Sequence, residues 1–214
     1  MIAPDCRRCG ATREAAELAE GLVGGWAAAT CAALGAQCHY EAWSSMGLVR
    51  NARGTCHDVG GFCDGDVTMA GIWQRALGSV DVTVALDGAS AAWDFGRWVP
   101  HVLVINLGTN DFDDGLTALP ANLVDTFRAA YLSLVISAAA AYGSSTRFFL
   151  LCGPIRFTYC APVEWVVAQA QAQGLLAQAV RLESPCSCCA HPGAVEYQAL
   201  AANVTAVLGS ALGW

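Results

Sequence analysis

A doubly wound α/β domain around a parallel sheet is predicted for this chain by three observations. Apolar runs of strand length alternate with longer amphipathic stretches, the order that βαβ crossovers produce. Hydrophobic residues make up 55% of the 214 and charged residues only 14%, a composition suited to a sheet covered on both faces. The residues with chemical potential fall in turns just beyond the predicted strands, where ligands bind in such sheets.

The elements follow in order. Residues 12 to 35 carry alanine and leucine at helical spacing. Residues 37 to 44 (QCHYEAWS) read as a strand that ends in a turn at Ser45-Met46-Gly47. Residues 51 to 67, rich in glycine, form a loop, and 68 to 77 a short helix. Val80 to Leu86 is a weaker strand, and His101 to Asn106 (HVLVIN) the clearest one. The turn Leu107 to Phe112 leads to a helix from about Leu119 to Tyr142. Then come a strand Arg147 to Cys152 closed by Gly153-Pro154, a helix over 162 to 173, and a short strand Ala177 to Leu182. A last helix runs from near Pro192 to about Leu212. With no repeat, linker or composition break, residues 1 to 214 read as one domain.

Composition narrows the partners. All 11 basic residues are arginine and the net charge is −7, so nothing draws the chain to nucleic acid or an anionic membrane. No stretch of roughly 18 uninterrupted apolar residues marks a membrane helix. The 11 cysteines include three short-range pairs, Cys31/Cys38, Cys56/Cys63 and Cys152/Cys160. Each pair can close a surface loop, which points to an oxidising compartment and a secreted protein. The opening Met-Ile-Ala-Pro-Asp-Cys lacks the charged and apolar regions of a signal peptide. The N-terminus is therefore read as processed or incomplete, with an incomplete start preferred.

Three strand-end turns hold the candidate site. In Gly108-Thr109-Asn110-Asp111 the carboxamide of Asn110 can donate to a developing oxyanion. The bland alternative is an ordinary polar turn. His191-Pro192-Gly193 places an imidazole on the loop entering the last helix, because the residue before proline is extended and proline suits a first helical turn. His39, His57 and His101 are assigned structural or solvent roles. Trp43, Trp93 and Trp98 are candidate sugar-stacking walls, with core packing as their alternative. Asn203-Val204-Thr205 matches a glycosylation sequon but falls inside the predicted last helix.

Taken together, SSMGLVRN, the segment from Trp93 to Phe112 (WDFGRWVPHVLVINLGTNDF) and HPGAVEYQALA resemble SGNH hydrolases. Among these the likeness is to family 2 carbohydrate esterases, over residues from about 12 to the C-terminus. The resemblance implies a three-layer α/β/α sandwich with a central parallel sheet, of the flavodoxin-like type. It implies an esterase that removes acetyl groups from carbohydrate or cleaves a small acyl ester, without metal or organic cofactor. Gly47 and Asn110 would form the oxyanion hole, His191 would be the base, and Asp111 would join Trp43 and Trp98 in binding substrate.

Two departures accompany the likeness. The family's Gly-Asp-Ser nucleophile motif is absent, and its best remnant, Pro4-Asp5-Cys6, puts Cys6 in the serine's place. A thiol at a helix start beside Arg7 and Arg8 has reason to ionise. A Cys6–Cys9 disulfide, half of a metal site, or an accidental sequence from a mis-specified N-terminus are the competing readings. Only Met1 to Pro4 precede Asp5, too few for a first strand of roughly five residues. Second, Cys188 stands three residues before His191, where the family often has an orienting acid. Cys6, Cys9, Cys186, Cys188, Cys189 and His191 also permit a zinc site, ranked below disulfides. The rival to the esterase is an SGNH domain that binds glycans without turnover.

Overall fold

The computed structural model describes residues 25–43, 45–52, 68–74, 93–113, 119–183, 192 and 194–214. Within these the elements are α1 (Trp26–Ala33), α2 (Met69–Ile72), β1 (Val102–Ile105), α3 (Leu123–Tyr142), β2 (Arg147–Cys152), α4 (Cys160–Ala172), β3 (Ala177–Arg181) and α5 (Ala194–Leu212). The strands form one parallel sheet in the order β1-β2-β3. Strand β1 pairs with β2 from Val102 opposite Arg147 to Ile105 opposite Leu150. Two crossovers, through α3 and α4, complete the predicted βαβ pattern.

The central strand explains the apolar run. Phe148, Phe149, Leu150, Leu151 and Cys152 are all buried, as expected of a strand covered on both faces with a neighbour on each edge. Helix α3 covers the sheet with one stripe: Leu123, Phe127, Tyr131, Leu134, Val135, Ala138 and Ala139. By length and composition α3 is apolar enough to cross a bilayer, a property that counting uninterrupted apolar residues does not detect. The buried stripe shows how a core helix meets the same test.

The chain divides into two compact units: Met1–Tyr40 with Gly153–Phe157 and Val180–Trp214, and Glu41–Cys152 with Thr158–Ala179. In the first, α1 packs on α5 and Thr30 Oγ1 donates to the Ala201 carbonyl at 3.4 Å. Gly35, at φ 58°, ends α1, and the N–H of Ala36 returns to the Cys31 carbonyl at 3.0 Å. Cys31 and Cys38 are joined by a disulfide across this turn. In the second unit Cys152 and Cys160 are joined likewise. Both bonds match the predicted pairs and fit an oxidising compartment; Cys56 and Cys63 lie outside the described residues.

Several boundaries move. Residues 37–43 form no strand, because Gln37 and His39 to Ala42 are all exposed and no buried alternate face holds them in register. Helix α3 starts at Leu123 rather than Leu119, since Pro120 disfavours a helical Leu119 and its carbonyl takes the Leu123 N–H at 3.0 Å. Helix α4 starts at Cys160 rather than 162, with Pro162 tolerated in the first turn. The single turn α2 falls within the predicted 68–77. Most of the predicted 12–35 helix and the Val80–Leu86 strand lie outside the described residues.

Replacing Cys31 and Cys38 together by serine should lower the unfolding free energy by about 2 kcal/mol, the chain-entropy value for so short a loop. Urea denaturation of the oxidised protein and the variant measures it.

Candidate active site

The turn after β1 is built around a glycine with no room for a side chain. Gly108 has φ 128°, and a Cβ there would overlap the Tyr159 ring, lying 2.7 Å from its Cγ. The Phe112 N–H closes the turn on the Gly108 carbonyl at 3.0 Å. Phe112 then enters the aromatic core, edge-on to Phe127 and stacked with Tyr159. Burial pushes the Tyr131 phenol well up, so it stays a donor, and its Oη donates to the Ile105 carbonyl at 3.2 Å. The strand end is thus fastened from the helix side.

A second turn meets this one. Ser45 sits at φ 63°, and its carbonyl accepts the Ala52 N–H at 2.9 Å. Met46 packs with Met69 and Ile72, and Trp43 and Leu107 lie against that cluster. The carbonyls of Gly47 and Leu48 receive the N–H groups of Met69 and Ala70 at 2.9 and 3.4 Å. Gly47 has no room for a side chain: a Cβ would overlap the Arg50 carbonyl and lie 2.7 Å from Asp111 Oδ2.

Asp111 binds the two turns together. Its fully buried carboxylate accepts the N–H of Leu48 at 2.9 Å on Oδ2, and those of Val49 and Arg50 at 2.7 and 3.1 Å on Oδ1. Arg50 returns the contact, donating Nη1 to the carbonyls of Asp111 and Asp113 at 2.7 and 2.8 Å. Burial pushes the Asp111 carboxyl above its ordinary value, and the three backbone N–H groups oppose that rise.

The consequence is an encounter between distant residues. Asn110 Nδ2 donates to the Met46 carbonyl at 2.9 Å, next to Gly47. The Gly47 N–H donates to Asn51 Oδ1 at 3.0 Å. Each turn thus contributes one hydrogen-bond donor, and each donor is held by an acceptor of the 45–52 segment.

Solved structures with this architecture exist. A family 2 carbohydrate esterase with a carbohydrate-binding domain from Corynascus thermopiles (Myceliophthora fergusii) superposes with a TM-score of 0.71 over 91% of this chain, at 24% identity. The chain has the fold of the family 2 carbohydrate esterases. An acetyl xylan esterase from the rumen bacterium Butyrivibrio proteoclasticus gives the same TM-score over 91% of this chain, at 18% identity. The curated cellulase/esterase CelE of Acetivibrio thermocellus is 34% identical over 87 residues, 41% of this chain. No protein-family model matches. The chain spans 58% and 57% of the two solved chains and 8% of CelE.

Within this esterase fold the candidate residues separate into those placed and those outside description. Asn110 bonds the carbonyl of Met46, the residue before Gly47, and the Gly47 N–H bonds Asn51. Asp111, assigned above to substrate, directs both carboxylate oxygens at backbone amides. Trp43 lies against the Met46 cluster, and Trp98 is half-buried. His39 and His101 are exposed. His191, His57, Cys6 and the zinc-candidate cysteines lie outside the described residues. Sequence reading passed over Arg50, Asn51 and Tyr159. The first two stand within SSMGLVRN, a segment cited for its glycine, whereas Tyr159 was marked only by adjacency to Cys160.

Asp111→Ala should cost at least about 3 kcal/mol, since each orphaned buried N–H costs about 1–3 kcal/mol. The pH dependence carries a definite sign. A carboxyl raised in the folded state binds its proton more tightly there than in the unfolded chain. Its contribution is therefore complete below the unfolded value near 3.8 and is lost as pH rises through the folded one. The stability gap between wild type and Asp111→Ala should be widest in acid and narrow toward neutrality, as urea denaturation across that range would register.

Proposed function

We propose that the chain is an esterase domain that removes acetyl groups from carbohydrate. The observation that supports this most is the hydrogen bond from the Asn110 carboxamide to the Met46 carbonyl, which ties the Asn110 turn to the Gly47 turn in a fold shared with carbohydrate esterases. A tetrahedral intermediate places negative charge on the former carbonyl oxygen, and two fixed donors lower that barrier more than flexible ones. The Met46 carbonyl holds one hydrogen of the Asn110 amide, which orients the other. An oxyanion would replace Asn51 Oδ1 on the Gly47 N–H, so Asn51 yields as the carbonyl oxygen arrives.

The remaining roles fall to residues read from sequence. His191 removes the proton of the nucleophile, for which Cys6 is the candidate. The nucleophile adds to the acetyl carbonyl, the C–O bond to the sugar breaks, and the sugar oxygen leaves with the proton from His191. Water, deprotonated by the same imidazole, then releases acetate and restores the nucleophile. The two disulfides favour a secreted protein, in keeping with a polymeric extracellular substrate. Trp43 and Trp98 are proposed as walls of the sugar site, and Asp111 as the support of its donors.

A binding reading is favoured by a different observation, the absence of Gly-Asp-Ser from the 214 residues. Hydrolysis of 4-nitrophenyl acetate separates the two. The esterase reading expects turnover that falls by about 10²-fold or more in His191→Ala. Turnover that survives that substitution sinks it. A wild-type chain that binds acetylated xylan in calorimetry without releasing acetate establishes the rival.

A further inference from the structure

The Asn110 turn has a second support besides Asp111. Tyr159, the residue preceding α4, is fully buried. Its ring occupies the space a Cβ on Gly108 would need. It stacks on Phe112 with centroids 5.9 Å apart at 26° and meets Phe127 at 65°. The hydroxyl lies 3.0 Å from Thr109 Oγ1 and donates to Asn106 Oδ1 at 3.4 Å. Either hydroxyl can be the donor in the shorter contact.

A single side chain therefore touches Asn106, Gly108, Thr109 and Phe112, the turn that carries Asn110. Its own position is fixed independently. Its carbonyl accepts the Val163 N–H at 3.0 Å in the first turn of α4. The next residue, Cys160, is bonded to Cys152 at the end of β2. The central strand thus reaches the turn after β1 through a disulfide, a phenol and the Thr109 hydroxyl. Phenylalanine would fill the same volume and make the same stacks, so the hydroxyl must be explained by what it bonds.

We propose that Tyr159 is a positioning residue: its hydroxyl, through Thr109, fixes where the Asn110 carboxamide stands when it receives the oxyanion. This rests on the esterase reading of Asn110. A residue that serves packing alone moves stability and leaves kcat intact. One that places a transition-state donor lowers kcat and leaves KM unchanged, because the misplaced donor acts on charge that the bound ester does not yet carry.

The test compares wild type, Tyr159→Phe, Thr109→Val and the double variant by turnover of 4-nitrophenyl acetate and by backbone hydrogen exchange. Tyr159→Phe should lower kcat about tenfold or more with KM within about twofold. Exchange should quicken in the peptide covering 107–113 while β2 stays protected. Thr109→Val should reproduce both effects, and the double variant should be no worse than the poorer single, since each removes the same contact. A kcat within about twofold of wild type in Tyr159→Phe overturns the proposal, whatever exchange shows; so does unchanged exchange at 107–113. If Tyr159→Phe does not fold, Thr109→Val decides by the same criteria. If wild type hydrolyses no ester, the esterase reading fails, and exchange alone decides whether Tyr159 holds the turn.

Discussion

Three backbone amides at Leu48, Val49 and Arg50 point at one carboxylate, and much of the described site depends on that geometry. Consecutive N–H groups converge this way only in a tight turn, where they cannot bond to a sheet or helix. A group with two acceptor oxygens and no hydrogen of its own satisfies them best. Burial makes the charge costly. The three donors offset part of that cost, and Arg50 reinforces the same junction through the carbonyls of Asp111 and Asp113. The balance leaves the carboxyl raised rather than depressed, so this contact spends electrostatic stability on holding two loops in one arrangement.

From that clamp the other constraints follow. The Arg50 carbonyl and Asp111 Oδ2 together approach so closely that only glycine fits at position 47. The Tyr159 ring imposes the same demand on Gly108. The two glycines are required for different reasons. Gly108 has a positive φ as well as a crowded Cβ site, whereas crowding alone governs Gly47.

The sheet was legible because its signals are local. The run Arg147 to Cys152 is apolar at every position after the first, and the strand begins and ends where the sequence places it. Spacing likewise picked the Cys31–Cys38 and Cys152–Cys160 bonds, since short loops between cysteines leave few other partners. The error at 37–43 has the same origin: tyrosine, tryptophan and histidine carry strand preference, but only burial against a partner makes a strand, and that is not local. Asp111 was read as a substrate ligand because a polar residue at a strand end looks alike whether it faces a ligand or a neighbouring loop. The 61 to 63 residues separating it from its partners hide the difference. Tyr159 was hidden for the same reason, lying 50 residues from Thr109.

The two functional readings ask different things of this local order. A glycan-binding cleft needs aromatic walls and hydrogen-bonding groups matched to hydroxyls, and it tolerates adjustment because ground-state contacts are made with adaptable partners. An oxyanion site gains only from donors whose position is fixed before charge develops. Around Gly47 and Asn110 the structure invests in fixity: a buried charge, two glycines without room for a methyl group, and aromatic packing beneath the turn. Asn51 Oδ1 meanwhile sits on the Gly47 N–H as a neutral acceptor, and a carbonyl oxygen gaining full negative charge would be the stronger partner for that donor. An exchange of that kind favours the transition state over the bound ester. It is the reason the esterase reading is preferred here to binding alone, even though no Gly-Asp-Ser occurs in the 214 residues.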